Sequence, residues 1–240
     1  MSERVCYHTG ESTKSYEVCK RVAESTGFRL EHVKNYELGT APIVYGLFRG
    51  TEVAMRTAYW SNLPFFYIDH GYFNFMHYDG YYRVVKNGVC HTAVIVSNPV
   101  TQSQECLPFG EPGPFTVICK PNLQGSIFLP FVKVWPEEWV DGLTHSLQSM
   151  GHKVVVSDKN TNKVADMPKQ DIRLVIGHES AIVAASLLRG IRAMNWSYGS
   201  RRLSMMDATI AEWENHRRYH LSMLEKSQFK LADLTMEHFT

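Results

Sequence analysis

One stretch in the last third of the sequence, residues 171–194, constrains the fold more than any other. It has the sequence DIRLVIGHESAIVAASLLRGIRAM. A short apolar run ends at Gly177, and a helix of small residues is predicted over 181–189, with Gly190 as its stop and a second strand behind it. Ser180 can cap that helix, and the free N–H groups of its first turn favour an anion such as a nucleotide diphosphate. The alternative is an ordinary βαβ unit whose serine caps the helix and binds nothing.

Composition limits what surrounds this unit. With 240 residues, 44% hydrophobic and 12% aromatic, the chain has enough apolar material for one large domain or two small ones. The 25 Lys and Arg nearly balance 24 Asp and Glu, for a formal net charge of +1, so a polyanionic partner such as nucleic acid needs a local basic patch. The five cysteines form no C-x-x-C pair, which argues against a disulfide framework and a structural zinc site. No segment resembles a signal peptide or a membrane span of roughly 18 apolar residues. We therefore expect a soluble, cytoplasmic protein that does not bind membranes.

The first half alternates strand-like and helix-like segments. Strands are predicted over 4–7, 42–48 and 63–69, and helices over 14–26 and 51–62. This order predicts a parallel sheet with helices on its faces. Residues 71–97 are aromatic and β-rich, with a hairpin turn at Asn87-Gly88, and are predicted to form an insertion on the sheet.

The second half repeats the alternation after a stretch rich in Pro, Gly and polar residues, 98–114, which is predicted to link the halves. Strands follow over 115–119 and 153–156, with a helix over 136–150 between them. Two terminal helices, 212–226 and 231–239, can cross back over the first half. The predicted fold is α/β, with two Rossmann-like βαβ halves facing each other across a cleft. Their boundaries are 1–110 and 111–240.

Candidate site residues follow from the strand ends, because open α/β sheets bind ligands beyond the carboxyl ends of their strands. Asp69 and His70 are the best acid–base candidates, since a carboxylate leaves an apolar strand beside an imidazole that titrates near neutrality. Adjacent residues of an extended chain point in opposite directions, so at most one of them acts on a given substrate atom. Alternatively, Asp69 caps the following turn and His70 packs among aromatic residues.

Other strand ends supply further candidates. Arg49 and Gly50 follow a predicted strand, and Arg83 lies beside two tyrosines, where it can bind sugar, base or phosphate. In the second half, Lys120 and Lys159 can neutralise a diphosphate, near His178, Glu179, Ser180 and Ala181. No H-E-x-x-H motif, P-loop or G-x-G-x-x-G motif occurs, so we expect no catalytic metal, ATPase or nicotinamide site.

Two segments resemble known families. HESAIVAASLLRGIRA is similar to the H-x-S-x-A-x-x-A-x-x-x-G-x-P turn and helix of capsule-type and sialyl-type glycosyltransferases of the small GT-B type, with Arg192 where proline is usual. PFFYIDHGYF, the following YYRVVKNG and the tail KSQFKLADLTMEHF resemble uncharacterised phage-encoded proteins of this size.

The resemblance implies a metal-independent transferase with a UDP- or CMP-linked sugar as co-substrate and no bound cofactor. His178, Ser180 and Ala181 would meet the donor phosphates, Lys120 and Lys159 would line the donor pocket, and Asp69 would be the base. Hydroxymethylated bases in phage DNA are the favoured acceptor, which places the protein in the host cytoplasm. DNA binding would need a stripe of arginines: Arg49, Arg56, Arg83, Arg201, Arg202, Arg217 and Arg218. The alternatives are a non-catalytic module that binds nucleotide or nucleic acid, and a nucleotide-sugar epimerase or hydrolase.

Overall fold

The computed structural model describes most of the chain and divides it into two compact units. Described are residues 2–46, 49–71, 80–87, 105–120, 136–158, 161, 163–177, 181–195, 202–225 and 229–240. The first unit comprises residues 1–101, 127–132 and 224–240, and the second comprises residues 102–126 and 133–223.

The first unit has a mostly parallel sheet. Its elements are β1 (Arg4–His8), α1 (Lys14–Thr26), β2 (Arg29–His32), β3 (Ala41–Tyr45), α2 (Thr51–Trp60), β4 (Phe66–His70) and β5 (Tyr82–Lys86). The strand order is β2-β1-β3-β4-β5, and every pairing is parallel except that of β5 with β4. Within the predicted insertion, β5 is therefore the edge strand of the sheet itself, while residues 72–79 and 88–97 lie outside the described residues.

Helices cover both faces of this sheet. Cys6 of β1 packs with Val18 and Val22 of α1 on one face. Its neighbour Tyr7 packs with Met55 of α2 on the other face. Alternate residues of a strand point to opposite faces, so a strand buried on both sides is apolar throughout. Turns of the predicted kind end the elements: Gly27, with φ of 74°, closes α1.

A segment from the end of the sequence completes the first core. Phe229 pairs with Tyr82 through two backbone hydrogen bonds of 2.8 and 3.0 Å. Leu231, Leu234 and Phe239 are buried against the face that α1 covers. Two short 3₁₀ turns, Leu231–Asp233 and Met236–Phe239, stand where one terminal helix was predicted.

The second unit repeats the winding of the first. Its elements are β6 (Phe115–Cys119), α3 (Pro136–Ser149), β7 (Lys153–Ser157), α4 (Lys163–Asp166), β8 (Ile172–Gly177), α5 (Ala181–Leu188), β9 (Ala193–Asn195) and α6 (Ile210–Glu225). The strand order is β7-β6-β8-β9 and all pairings are parallel. The order matches that of β2-β1-β3-β4.

Apolar clusters lie on both faces of the second sheet as well. Val175 of β8 packs with Val183 and Leu187 of α5 on one face. On the other face, Ile176 packs with Leu147 of α3. The chain is thus a mixed α/β structure with parallel sheets, compatible with a Rossmann-like fold, and the strand–turn–helix–strand unit predicted over 171–194 is confirmed at its described positions. Among the described segments, no helix combines the length and apolar character needed to cross a membrane.

Part of the predicted linker packs on the second unit. The backbone N–H of Leu107 donates to the carbonyl of Leu188 at 2.9 Å. Arg217 of α6 donates to the Leu107 carbonyl at 2.7 Å, and its guanidinium lies 4.4 Å from the centre of the Phe109 ring. Residues 105–113 therefore form an ordered strap with side-chain and backbone anchors.

Candidate active site

The first sheet reverses its strand order between β1 and β3. The chain passes from β1 to β2 through α1 on one side and from β3 to β4 through α2 on the other. Open α/β sheets bind ligands in the crevice that forms at such a reversal, beyond the carboxyl ends of the strands. Tyr45 is the last residue of β3, and Lys14 is the first residue of the helix that follows β1. These two residues therefore flank the reversal.

His70 joins them from the end of β4. Its Nε2 atom lies 2.6 Å from the Tyr45 hydroxyl oxygen and 3.1 Å from the Lys14 Nζ atom. The Tyr82 ring stacks on the imidazole, with ring centres 5.6 Å apart and planes inclined by 25°. The register explains this stacking, because His70 and Tyr82 are paired across β4 and β5. We call Lys14, Tyr45, His70 and Tyr82 the His70 cluster.

The environment of His70 favours its neutral form. Burial lowers the pKa of His70, the positive charge of Lys14 lowers it further, and Asp69 acts in the opposite direction. Burial likewise lowers the pKa of Lys14, while Asp69 raises it. An ammonium group can only donate, so Nε2 accepts from Lys14, and its single lone pair is shared with the Tyr45 O–H group. The ring proton then resides on Nδ1, which is buried and has no hydrogen-bond partner among the described residues. The Nε2 atom is therefore a proton acceptor already held in place.

Asp69 has partners on both of its carboxylate oxygens. Oδ2 accepts a hydrogen bond from Arg83 Nη2 at 2.8 Å, and Oδ1 accepts one from the backbone N–H of His70 at 2.8 Å. The Arg83 side chain is only 8% exposed, so the Asp69 carboxylate compensates a guanidinium charge that water hardly reaches. Burial, followed by the negative charge of Asp69, raises the pKa of Tyr67. Of the two predicted catalytic residues, His70 has the geometry of a base, and Asp69 has that of a positioning residue.

Of the other residues predicted to bind an acceptor, Arg83 and Gly50 already have hydrogen-bond partners within the protein. The Arg83 guanidinium is engaged with Asp69. Arg49 and Gly50 lie in the turn before α2 with left-handed φ angles of 63° and 103°. The Gly50 N–H donates to the Glu52 carboxylate at 3.0 Å, which uses one of the free donors at the start of α2. Arg49 is exposed, and its binding of an acceptor stays a prediction.

The second sheet has its own reversal, between β6 and β8. Cys119 and Gly177 are partners in the register of these strands. Lys120 and the start of α5 at Ala181 therefore follow paired strand ends at one edge of the sheet. Lys120 is exposed, and its backbone N–H donates to the Ser157 carbonyl at 2.8 Å. The remaining predicted donor-binding residues, Lys159, His178, Glu179 and Ser180, lie outside the described residues.

Asn195 is a further polar residue at this edge. It ends β9 and pairs in register with Gly177. Its Oδ1 atom is buried, and none of the residues that the structure describes is hydrogen-bonded to it. A buried carbonyl oxygen without a partner is costly, so it is suited to accept a hydrogen bond from a ligand N–H or O–H.

A cavity of about 250 Å³ in the second unit lies elsewhere. Gly110 and Glu111 of the strap line it together with Ile172 and Arg192, which stand at the amino ends of β8 and β9. This is the edge opposite to Lys120 and Ala181. The cavity is therefore separate from the predicted donor site.

The arginines that DNA binding would need do not all lie at the surface. Arg83 and Arg217 are 7% and 8% exposed, and each forms an ion pair, with Asp69 and Glu214. Guanidinium groups that are buried and paired cannot neutralise phosphates at the surface. Arg56 and Arg218 are exposed, and Arg201 lies outside the described residues.

Among the residues that are described, no three His, Cys, Asp or Glu side chains come together as ligands for a metal ion.

Sequence reasoning missed Lys14, Tyr45 and Tyr82. The apolar run 42–48 predicted a strand that continues past Tyr45, whereas Gly46 adopts a φ of 77° and ends it. Lys14 was counted only as the first residue of a helix. Lys14 and Tyr45 become recognisable once the strand order is known, because that order places the β1–α1 turn next to the end of β3.

No protein-family model matches the chain, and no curated protein matches it significantly. The activity has therefore to be inferred from the chemistry of the chain's own residues.

Proposed function

We propose that this protein is a metal-independent glycosyltransferase of the GT-B class that moves a sugar from a nucleotide-linked donor to a hydroxyl acceptor. One Rossmann-like half would bind each substrate. The observation that carries the proposal is the half-buried His70 imidazole, whose Nε2 atom lies within hydrogen-bonding distance of Tyr45 and Lys14 at the strand-order reversal of the first sheet. Burial and the charge of Lys14 lower the pKa of His70, which favours its neutral form. A base of this kind is what a hydroxyl nucleophile needs near neutral pH.

The transfer step uses Tyr45 as a relay. The acceptor oxygen attacks the anomeric carbon and forms the new glycosidic bond, while its proton passes to the Tyr45 oxygen and the Tyr45 proton passes to Nε2 of His70. The bond between the anomeric carbon and the phosphate oxygen breaks, and the nucleotide leaves with the electron pair. Burial and the charge of Lys14 disfavour the imidazolium that results, and the charge of Asp69 offsets part of this effect by raising the pKa of His70. General base catalysis of this type contributes about 10²–10⁴-fold.

The second half would hold the donor. Lys120 and the amino end of α5 would supply positive charge for the departing phosphate. Lys159, His178, Glu179 and Ser180, which lie outside the described residues, are predicted from the sequence to bind the donor as well. Asn195 would accept a hydrogen bond from the donor. The favoured acceptor is a hydroxymethylated base in phage DNA, which rests on the resemblance of PFFYIDHGYF to phage-encoded proteins.

The test is transfer of sugar to DNA. The protein is incubated with UDP- and CMP-sugars, with and without hydroxymethylated DNA, and the mass of the DNA is measured. We expect a gain of one sugar mass with one of the donors. Release of free sugar without an acceptor would identify a hydrolase, and nucleotide binding without turnover would identify a binding module.

Variants test the roles proposed for His70 and Tyr45. His70→Gln and Tyr45→Phe are expected to lower the transfer rate by about 10²-fold or more with donor affinity unchanged. His145→Gln on α3 and Tyr219→Phe on α6 are matched controls, because both residues are exposed. Transfer by His70→Gln at the wild-type rate would exclude His70 as the base.

A further inference from the structure

The cavity at the amino ends of β8 and β9 has a basic lining. Its cationic side chains are Lys169, Arg173 and Arg192, and its acidic one is Glu111. Its volume is about 250 Å³. This is smaller than the roughly 300–1,000 Å³ that is typical of drug-sized ligands, so the cavity suits a small ligand.

The strap forms a fixed wall of this cavity. On one side, an added Cβ at Gly190 would lie 2.2 Å from the Pro108 carbonyl oxygen of the strap. On the other side, an added Cβ at Gly113 of the strap would lie 2.2 Å from the carbonyl carbon of Asp171. Both glycines are therefore places of close backbone approach. Residues 110–112 line the cavity between these two contacts, so backbone packing fixes its shape.

Two arginines from neighbouring strands meet at the cavity. Arg173 has no partner in the register of β8 with β6, because that register shifts by one residue at this point. A bulge of this kind re-aims a side chain and is frequent beside functional sites. Arg173 and Arg192 both line the cavity, and both also line a narrow cleft next to it that Trp213 lines as well.

The positive charges of these two arginines are not matched by carboxylates. Among the residues that the structure describes, none forms an ion pair with Arg173 or Arg192. Arg83 and Arg217, in contrast, are each ion-paired. Glu111 lines the cavity but is exposed and pairs with neither arginine. Two like charges that share one small cavity repel each other, and an anion between them would offset this repulsion.

Two buried N–H groups at this place also lack an acceptor. They are Nε of Arg192 and Nε1 of Trp213, and neither is hydrogen-bonded within the described part of the chain. Trp213 is 1% exposed. A buried donor without an acceptor is costly, so the group that completes this site has to accept hydrogen bonds. Guanidinium groups match the paired oxygens of phosphates and carboxylates.

We propose that this cavity binds a phosphate group, with Arg173 and Arg192 donating to its oxygens. The donors belong to β8, β9 and α6, and a tetrahedral phosphate accepts from several sides, whereas a carboxylate accepts in one plane. The phosphate can be the free inorganic ion or part of a small monoester. This proposal does not depend on the transferase proposal, because the cavity lies at the edge of the sheet opposite to the predicted donor site.

Binding is tested by calorimetry on the full chain in a phosphate-free buffer, with chloride keeping the ionic strength constant. The probes are inorganic phosphate, glycerol 3-phosphate and acetate. We expect at least one of the phosphates to bind at millimolar concentration, and acetate to bind about tenfold more weakly or worse. Tighter binding of glycerol 3-phosphate identifies a site for a monoester, and tighter binding of inorganic phosphate identifies a site for the free ion.

Variants locate the site. Arg173→Met and Arg192→Met are each expected to weaken phosphate binding by about tenfold or more, as for a lost hydrogen bond between charged groups. Arg218→Met, which changes an exposed arginine of α6, should bind as the wild type does. Lys120→Met removes a charge from the predicted donor site and should also leave binding in the cavity intact.

Thermal unfolding shows that each variant is folded and gives a second measure of binding. Phosphate should raise the melting temperature of the wild type, Arg218→Met and Lys120→Met, and should raise that of the two cavity variants less. The proposal is overturned if neither phosphate binds at millimolar concentration or if acetate binds as tightly as phosphate. It is also overturned if folded Arg173→Met and Arg192→Met both bind phosphate normally, whether or not Lys120→Met loses binding.

Discussion

Replacing Asp69 and replacing Arg83 both break the ion pair between them, but we expect the two changes to lower the free energy of unfolding by different amounts. The Asp69→Asn change removes the carboxylate that pairs with the guanidinium of Arg83, which is 8% exposed. The Arg83→Met change leaves a carboxylate that is 33% exposed and can be solvated. Removing one partner of a fully buried pair costs about 3–5 kcal/mol. Because water reaches the carboxylate, we expect about 2–3 kcal/mol for Asp69→Asn and about 1–2 kcal/mol for Arg83→Met, after screening is discounted.

A double variant measures the interaction between Asp69 and Arg83 apart from the contacts that each makes with other residues. Asp69→Asn combined with Arg83→Met should be less destabilised than the sum of the single changes, with a coupling energy of about 1–2 kcal/mol. The free energy of unfolding is measured by urea denaturation with linear extrapolation. Arg56→Met, on the exposed face of α2, is the control and should change stability by less than about 0.5 kcal/mol. A coupling energy below about 0.3 kcal/mol would refute the reasoning.

The same variants decide what Asp69 does. If it positions Arg83 and His70, Asp69→Asn loses stability and retains part of the transfer activity. If Asp69 is instead the base, Asp69→Asn abolishes transfer, with the same loss of stability because the ion pair with Arg83 is broken in either case. Complete loss of transfer would indicate that the Asp69 carboxylate is the base.

The remaining predictions concern the pH dependence of stability and the packing of particular residues. The native pKa of His70 is lowered, so below about pH 6.5 the unfolded chain binds more protons than the native one. Stability should therefore fall as the solution is acidified through that range, and His70→Gln should make a urea-measured pH profile flatter. Gly190 has a φ of 69° and an added Cβ would lie 2.2 Å from the Pro108 carbonyl oxygen, so Gly190→Ala should lower the melting temperature. Gly142→Ala in α3, where nothing lies within 4 Å, should instead stabilise by about 0.5–1 kcal/mol, and equal melting temperatures for the two would contradict this. Phe239→Ala should cost about 3–5 kcal/mol in chemical denaturation, whereas the exposed Met236→Ala costs little; similar losses would show that the buried ring is not part of the core.

Local chemistry explains which elements could be predicted. Helix α1 was predicted in full because its apolar residues recur at helical spacing and Gly27 supplies a left-handed stop. The α5 unit was predicted because an apolar strand, a turn and small residues follow one another closely. The end of β3 was misplaced, since Leu47 and Phe48 continue the apolar run while the backbone already turns at Gly46.

The candidate site was predictable only in part, for a physical reason. Asp69 and His70 end an apolar strand, which marks them in the sequence alone. Their partners come from other elements: Lys14 from α1, Tyr45 from β3 and Arg83 from β5. Strand order and register bring these residues together, and neither is encoded in local periodicity.

The position of Phe229 and Phe239 in the first core has a consequence for biosynthesis. Domains usually fold during translation, with the N-terminal one first. Here β1 to β5 are made early, yet part of the apolar face that α1 covers stays exposed until residues 229–239 have left the ribosome. The second sheet, β6 to β9, is complete before that moment. The half that is synthesised first should therefore be the last to mature, and a nascent chain stalled before residue 229 would expose an unfinished hydrophobic surface to chaperones.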